Sequence, residues 1–145
     1  VRALWGGSLV MATGVGGCAG AAAYFAPPDD QLIQLSAQAW AETKSQTPIS
    51  RDPAANRRMQ TVGPRIAAAS GLQGLEWEFV VFDSAEKNAF VLPNGKVGFF
   101  KGLVDFCEND DQVAAVLGHE VGHVAARHAA LRAGQQTATA LGLSL

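Results

Sequence analysis

Charge is scarce in this 145-residue sequence: Asp, Glu, Lys and Arg together make up 17% of it, for a formal net charge of −2. The Lys and Arg residues are scattered, so no basic stripe suits a nucleic acid, and no acidic run marks a solvated tail. There is no internal repeat and no low-complexity tract. Cysteine is limited to Cys18 and Cys107. Histidine occurs three times, always between positions 119 and 128, and no Asp or Glu follows Glu120. Apolar residues reach 48%, enough to build a core, and the length suits one domain.

The shortage of charge is complete between Ala3 and Pro28, with Arg2 just before that run. A basic start, an apolar stretch and then small residues form the layout of a secretory leader. Val15-Gly16-Gly17-Cys18 resembles a bacterial lipobox, which makes Cys18 the candidate lipidation residue. Two other readings stay open. One is a single membrane anchor, although its glycines make a poor helix; the other is a cleaved signal with Cys18 incidental. All three divide the chain into a leader, 1–28, and a domain, 29–145, outside the cytoplasm; the lipoprotein reading puts it on the periplasmic side of a bacterial envelope membrane. If Cys18 carries lipid, Cys107 is expected to be a part-buried free thiol. A Cys18–Cys107 disulfide requires the leader to be retained.

Past Pro27-Pro28, Asp29-Asp30 caps a first helix that fades near Ser45–Thr47. Asp52 and Pro53 open a second, which Ser70-Gly71 ends, and Gly63-Pro64 inside it predicts a kink or a break. Trp77–Phe82, Asn88–Leu92 and Lys96–Phe100 read as three strands, the last two joined by the turn Pro93-Asn94-Gly95. Gly102–Phe106 reads as a short helix. A long helix then runs from near Asn109 to about Arg132. Its run between Asp111 and Arg127 has no Lys, Arg or Asp, is mostly Val, Ala and Leu, and is short for a bilayer span.

That helix carries His119-Glu120-Val121-Gly122-His123. Side chains four apart on a helix lie about 40° apart and one turn up, so two imidazoles can each direct a nitrogen at one Zn²⁺. Glu120 is rotated by about 100° from His119, which aims it beside the metal, as suits a base that takes a proton from the attacking water. Val116, Leu117, Val121 and Val124 lead us to expect little room for a solvated face around the pair, and unpartnered burial would be costly. His128 falls on the opposite side and is expected to act in packing, in support of the site or at the surface.

Asn88–Gly95, Gly102-Leu103 and Val116–His128 closely resemble the HtpX/Ste-type zinc peptidase family, in its soluble periplasmic branch of BepA- and Oma-like proteins. The likeness covers roughly Asp52 to Ala133. It implies an α+β, zincin-like (gluzincin) fold with N-terminal helices, a small, mainly antiparallel sheet and a long active-site helix. It implies a metalloendopeptidase of envelope or misfolded proteins with one Zn²⁺ per chain, His119 and His123 as ligands and Glu120 as base. In such enzymes an edge strand before the active-site helix pairs with the substrate; by position that is Asn88–Leu92, with Asn88, Ala89 and Phe90 as the candidate contacts, or its neighbour. The family's third ligand is a Glu on a later helix. With no acid after Glu120, the chain is expected to be the front part of a longer protein and inactive alone. A catalytically silent envelope lipoprotein, acting as scaffold or chaperone, is the alternative.

Overall fold

The computed structural model describes residues 29–140; the leader, with Cys18, lies outside the described residues. Two helices come first, α1 (Asp29–Gln46) and α2 (Pro53–Ala69), then strands β1 (Glu78–Phe82), β2 (Ala89–Val91) and β3 (Lys96–Phe100). Helices α3 (Lys101–Phe106) and α4 (Asp110–Ala140) complete the order. The start of α2 follows from its first residues. Asp52 stays extended and accepts the Ala54 and Ala55 N–H groups at 2.8 and 3.3 Å, while Pro53 takes the first helical position. Those two donors hold the Asp52 carboxyl below the usual carboxylate range, against a small opposing effect of burial and with help from Lys101.

Of the kink or break expected at Gly63-Pro64, the break is not there: α2 continues to Ala69. Pro64 stands on the exposed side, where water can take the carbonyl of Gln60 that the proline leaves without a helical donor. Gly63 is on the buried side, and a Cβ there would sit 2.6 Å from the ring of Phe79. The glycine therefore lets helix and strand approach.

The sheet is mixed rather than mainly antiparallel. Its order is β1-β3-β2, with β3 parallel to β1 and antiparallel to β2. The chain leaving β1 crosses the head of α3, where Gly102 N–H donates to the Ser84 carbonyl at 2.9 Å. This carries β2 past the place beside β1 that β3 then fills. The most buried of the three strands, β3 takes the centre. At the β2–β3 turn, Gly95 N–H donates to the Leu92 carbonyl at 2.9 Å and Gly95 has φ +86°, open to glycine at little cost.

Strand alternation sorts the two faces. Val81, Ala89, Val97 and Phe99 share one core with Met59 and Val62 of α2 and with Val113, Leu117, Val121 and Val124 of α4. Phe82 and Phe100 turn the other way and join Trp40 of α1, with Val80, Phe90 and Leu92 packed around them. Trp40 meets Phe82 edge-on at 5.7 Å and donates its indole N–H to Glu78 Oε2 at 2.9 Å. Lys44 and Lys96 reach the same carboxylate at 3.2 and 3.6 Å. Burial alone would raise the Glu78 pKa, but the Trp40 and Lys44 hydrogen bonds and the two ammonium charges outweigh it and hold the carboxyl below its ordinary value. The chain is thus an α+β structure, with α1 on one face of the sheet and α2 and α4 on the other.

Candidate metal centre

Helix α4 is placed by its first turn. Asp110 and Asp111 stand at its positive end, and Asn109 Oδ1 accepts the Gln112 N–H at 3.0 Å. Arg58 of α2, which no sequence pattern singles out, locks the joint between α3 and α4. Its guanidinium donates to Asp110 Oδ1 at 2.9 Å and to the carbonyls of Val104, Cys107 and Glu108 at 3.1, 2.8 and 3.3 Å. Cys107 beside it is buried rather than part-buried and forms no disulfide among the described residues; its pKa is pushed up by burial against the opposing charge of Arg58.

From that anchor, helical geometry fixes what α4 shows to each side. Val113, Leu117, Val121 and Val124 are buried, at spacings of four, four and three. At 100° per residue they point within about 40° of Leu117, whereas His119 and His123 lie about 200° and 240° round. Both histidines are accordingly exposed, which corrects the expectation of an enclosed pair: the valines and Leu117 adjoin them in sequence but face away. Glu120 falls between the two directions and is half-buried. His128 returns to the buried side, about 20° from Leu117, and its Nε2 is buried without a hydrogen-bond partner.

The two imidazoles converge. Their Nε2 atoms are 3.0 Å apart, with ring centroids at 4.5 Å and ring planes at 84°. A tetrahedral zinc with Zn–N of about 2.0–2.1 Å holds two nitrogens about 3.3 Å apart. The pair therefore needs to open by only a few tenths of an ångström, and borderline-soft nitrogen donors are what zinc takes. Among the described residues no third His, Cys, Asp or Glu joins them.

Asn88, Ala89 and Phe90 lie at β2, on the edge of the sheet. Phe100 N–H donates to the Asn88 carbonyl and Leu92 N–H to that of Lys96, so the backbone groups of Ala89 and Val91 point away from β3. The Ala89 N–H is held by its neighbour's Asn88 Oδ1 at 2.9 Å.

A family model, Peptidase family M48, matches residues 53–145, from the first residue of α2 onward. The chain belongs to peptidase family M48. Over 66 residues, 46% of the chain, it is 50% identical to the mitochondrial metalloendopeptidase OMA1 of Schizosaccharomyces pombe. Over 113 residues, 76% of the chain, it is 34% identical to the metalloprotease LoiP of Escherichia coli. The beta-barrel assembly-enhancing protease of E. coli is 26% identical over 100 residues, 69% of the chain. The chain spans 20% of the S. pombe protein, 42% of LoiP and 20% of the assembly-enhancing protease. M48 membership makes this a metalloendopeptidase family chain, and the converging imidazoles fit the metal that such enzymes require. No helix among the described residues is long and apolar enough to cross a membrane.

Proposed function

We propose that this M48 chain belongs to a zinc-dependent endopeptidase of gluzincin architecture, in which His119 and His123 hold the metal and Glu120 is the general base. The observation that carries the reading is the convergence of the two Nε2 atoms at 3.0 Å on the exposed face of α4, one residue from a half-buried carboxylate. Zinc bound there supplies Lewis acidity toward a scissile carbonyl and the attacking water. The chain's own residues do the rest. The imidazoles fix the ion over the open face, and Glu120 takes the water's proton at a carboxylate oxygen and passes it to the leaving amine. A catalytic zinc normally has three protein ligands; by resemblance the third is a glutamate carried on a later helix.

Substrate enters as an added strand. The free edge of β2 supports this, since the outward backbone groups of Ala89 and Val91 can pair with an extended peptide. Asn88 then meets the peptide backbone with the side chain that otherwise closes on Ala89 N–H. An extended backbone is read with little regard to sequence, which suits misfolded or envelope proteins as substrates. Residues 1–28 are read as a leader that places the enzyme on the periplasmic side of a membrane, with lipid on Cys18.

Metal analysis and casein cleavage by the full-length protein test the proposal. Glu120→Gln should retain zinc and lose hydrolysis by several orders of magnitude, while His119→Ala and His123→Ala lose the metal. Wild-type turnover in Glu120→Gln would overturn the assignment of the base. A lipoprotein scaffold without activity predicts instead that no variant changes casein cleavage, because there is none.

A further inference from the structure

The largest exposed aromatic side chain among the described residues is Phe106, at the end of α3, with 62% of its surface open. The ammonium of Lys87 lies 4.1 Å from the centre of its ring. Lys87 lies two residues before the edge strand, and its loop is held against the head of α3 by the Gly102 to Ser84 hydrogen bond. A Cβ on Gly102 would collide with the backbone of Ala85 and Glu86, so the glycine is what lets the loop sit there. A peptide paired with Ala89 and Val91 and continued past Asn88 advances about 3.3 Å per residue. The next residues of such a peptide run beside Lys87, the residue whose ammonium stands over the Phe106 ring.

We infer that Phe106, with Lys87 over its ring, forms a specificity subsite that takes an aromatic or long aliphatic side chain from a substrate strand paired with β2. This rests on the peptidase reading above and names what the enzyme prefers a few residues from the cut. An apolar side chain is favoured over an acidic one. Glu86 precedes Lys87 in the chain, and Asp105 and Glu108 stand on either side of Phe106, so the surroundings do not attract a carboxylate. The Lys87 side chain is exposed and flexible enough to swing from one face of the ring and let an apolar group pack against it.

The test uses the full-length zinc protein and fluorogenic peptides that share one scissile segment and are extended at either end by Ala, Glu, Leu or Phe. Wild type should prefer Leu or Phe over Ala by about tenfold in kcat/KM, at one end only. Phe106→Ala should reduce that preference to within about twofold, with its loss greater on the Leu- and Phe-extended peptides than on the unextended one. Lys87→Ala should keep the preference. The same peptides are titrated by fluorescence anisotropy against Glu120→Gln and against Glu120→Gln with Phe106→Ala. This measures the subsite without turnover, so a failure of the peptidase reading stays separate from a failure of the subsite. Retained preference in Phe106→Ala, or equal losses on short and extended peptides, overturns the inference. So does equal affinity of the two Glu120→Gln proteins for the Phe-extended peptide.

Discussion

Replacing Arg58 should loosen the domain more than any surface charge change, and for a reason its ion pair does not supply. The Arg58 side chain is 25% exposed and Asp110 55% exposed, so their contact at 2.9 Å is a surface pair worth at most about 1 kcal/mol. The other three hydrogen bonds go to the carbonyls of Val104, Cys107 and Glu108, where α3 ends and α4 has not begun. Hydrogen bonds from a charged donor are worth about 1.5–3 kcal/mol each, but they share one guanidinium and some of the carbonyls can turn to water. We expect Arg58→Met, which keeps the aliphatic stem, to cost about 2–4 kcal/mol. Arg58→Lys should recover less than half of it, since one ammonium cannot span the fork. Asp110→Asn should cost under about 1 kcal/mol. Urea unfolding followed by tryptophan fluorescence reads all three as midpoint shifts at constant slope. A loss below about 0.5 kcal/mol in Arg58→Met, or an equal loss in Asp110→Asn, would refute the view that carbonyl capping outweighs the ion pair.

Two further outcomes follow from the packing. Gly63→Ala would ordinarily gain about 1 kcal/mol of helix preference, but its Cβ would meet the Phe79 ring at 2.6 Å, so a net loss of about 1–3 kcal/mol is expected. Adding Phe79→Leu should recover part of it, and a stabilised single variant would contradict the close approach. Glu78 has its carboxyl pKa held down in the fold, so its contribution is present above the unfolded value of about 4.3 and is lost as pH falls through the lower folded value. At 37% exposure the effect should stay under about 1 kcal/mol. In pH-dependent urea melts the gap between wild type and Glu78→Gln should be flat above about pH 5 and close below about pH 4.

What could be read from the residues was whatever is encoded over a few positions. Asp52-Pro53 marks a helix start through two local hydrogen bonds, Pro93-Asn94-Gly95 closes its turn within four residues, and the histidine spacing depends only on the helical repeat. The parallel pairing of β1 with β3 was not readable in this way, because it depends on Gly102 packing against a loop at Ser84, eighteen residues earlier in the chain. That α2 is unbroken at Pro64 is not legible locally, because the penalty for a helical proline depends on whether the freed carbonyl faces water, a property of the tertiary fold. The exposure of the imidazoles was within reach of the sequence. Apolar neighbours along the chain do not enclose a side chain by proximity; their angular position on the helix decides which face they cover.

Gly118 and Gly122 lie on that same open side of α4, and they make its use testable. A Cβ at either position would meet nothing within 4 Å among the described residues. Each glycine costs the helix about 1 kcal/mol relative to alanine, without any close contact there to require it. If stability alone shaped α4, alanine would serve better at both positions. The space they leave borders His119 and His123 on one side, as the backs of Leu117 and Val121 border the core on the other. We therefore expect Gly118→Ala and Gly122→Ala each to raise unfolding stability by about 0.5–1 kcal/mol. In the full-length protein, zinc content should stay at the wild-type level in both variants while cleavage of protein substrates falls, because the added methyl groups narrow the approach to the metal. A loss of stability in either variant would mean that another part of the protein already fills the space. Unchanged cleavage with raised stability would mean that substrate does not pass over this stretch of the helix.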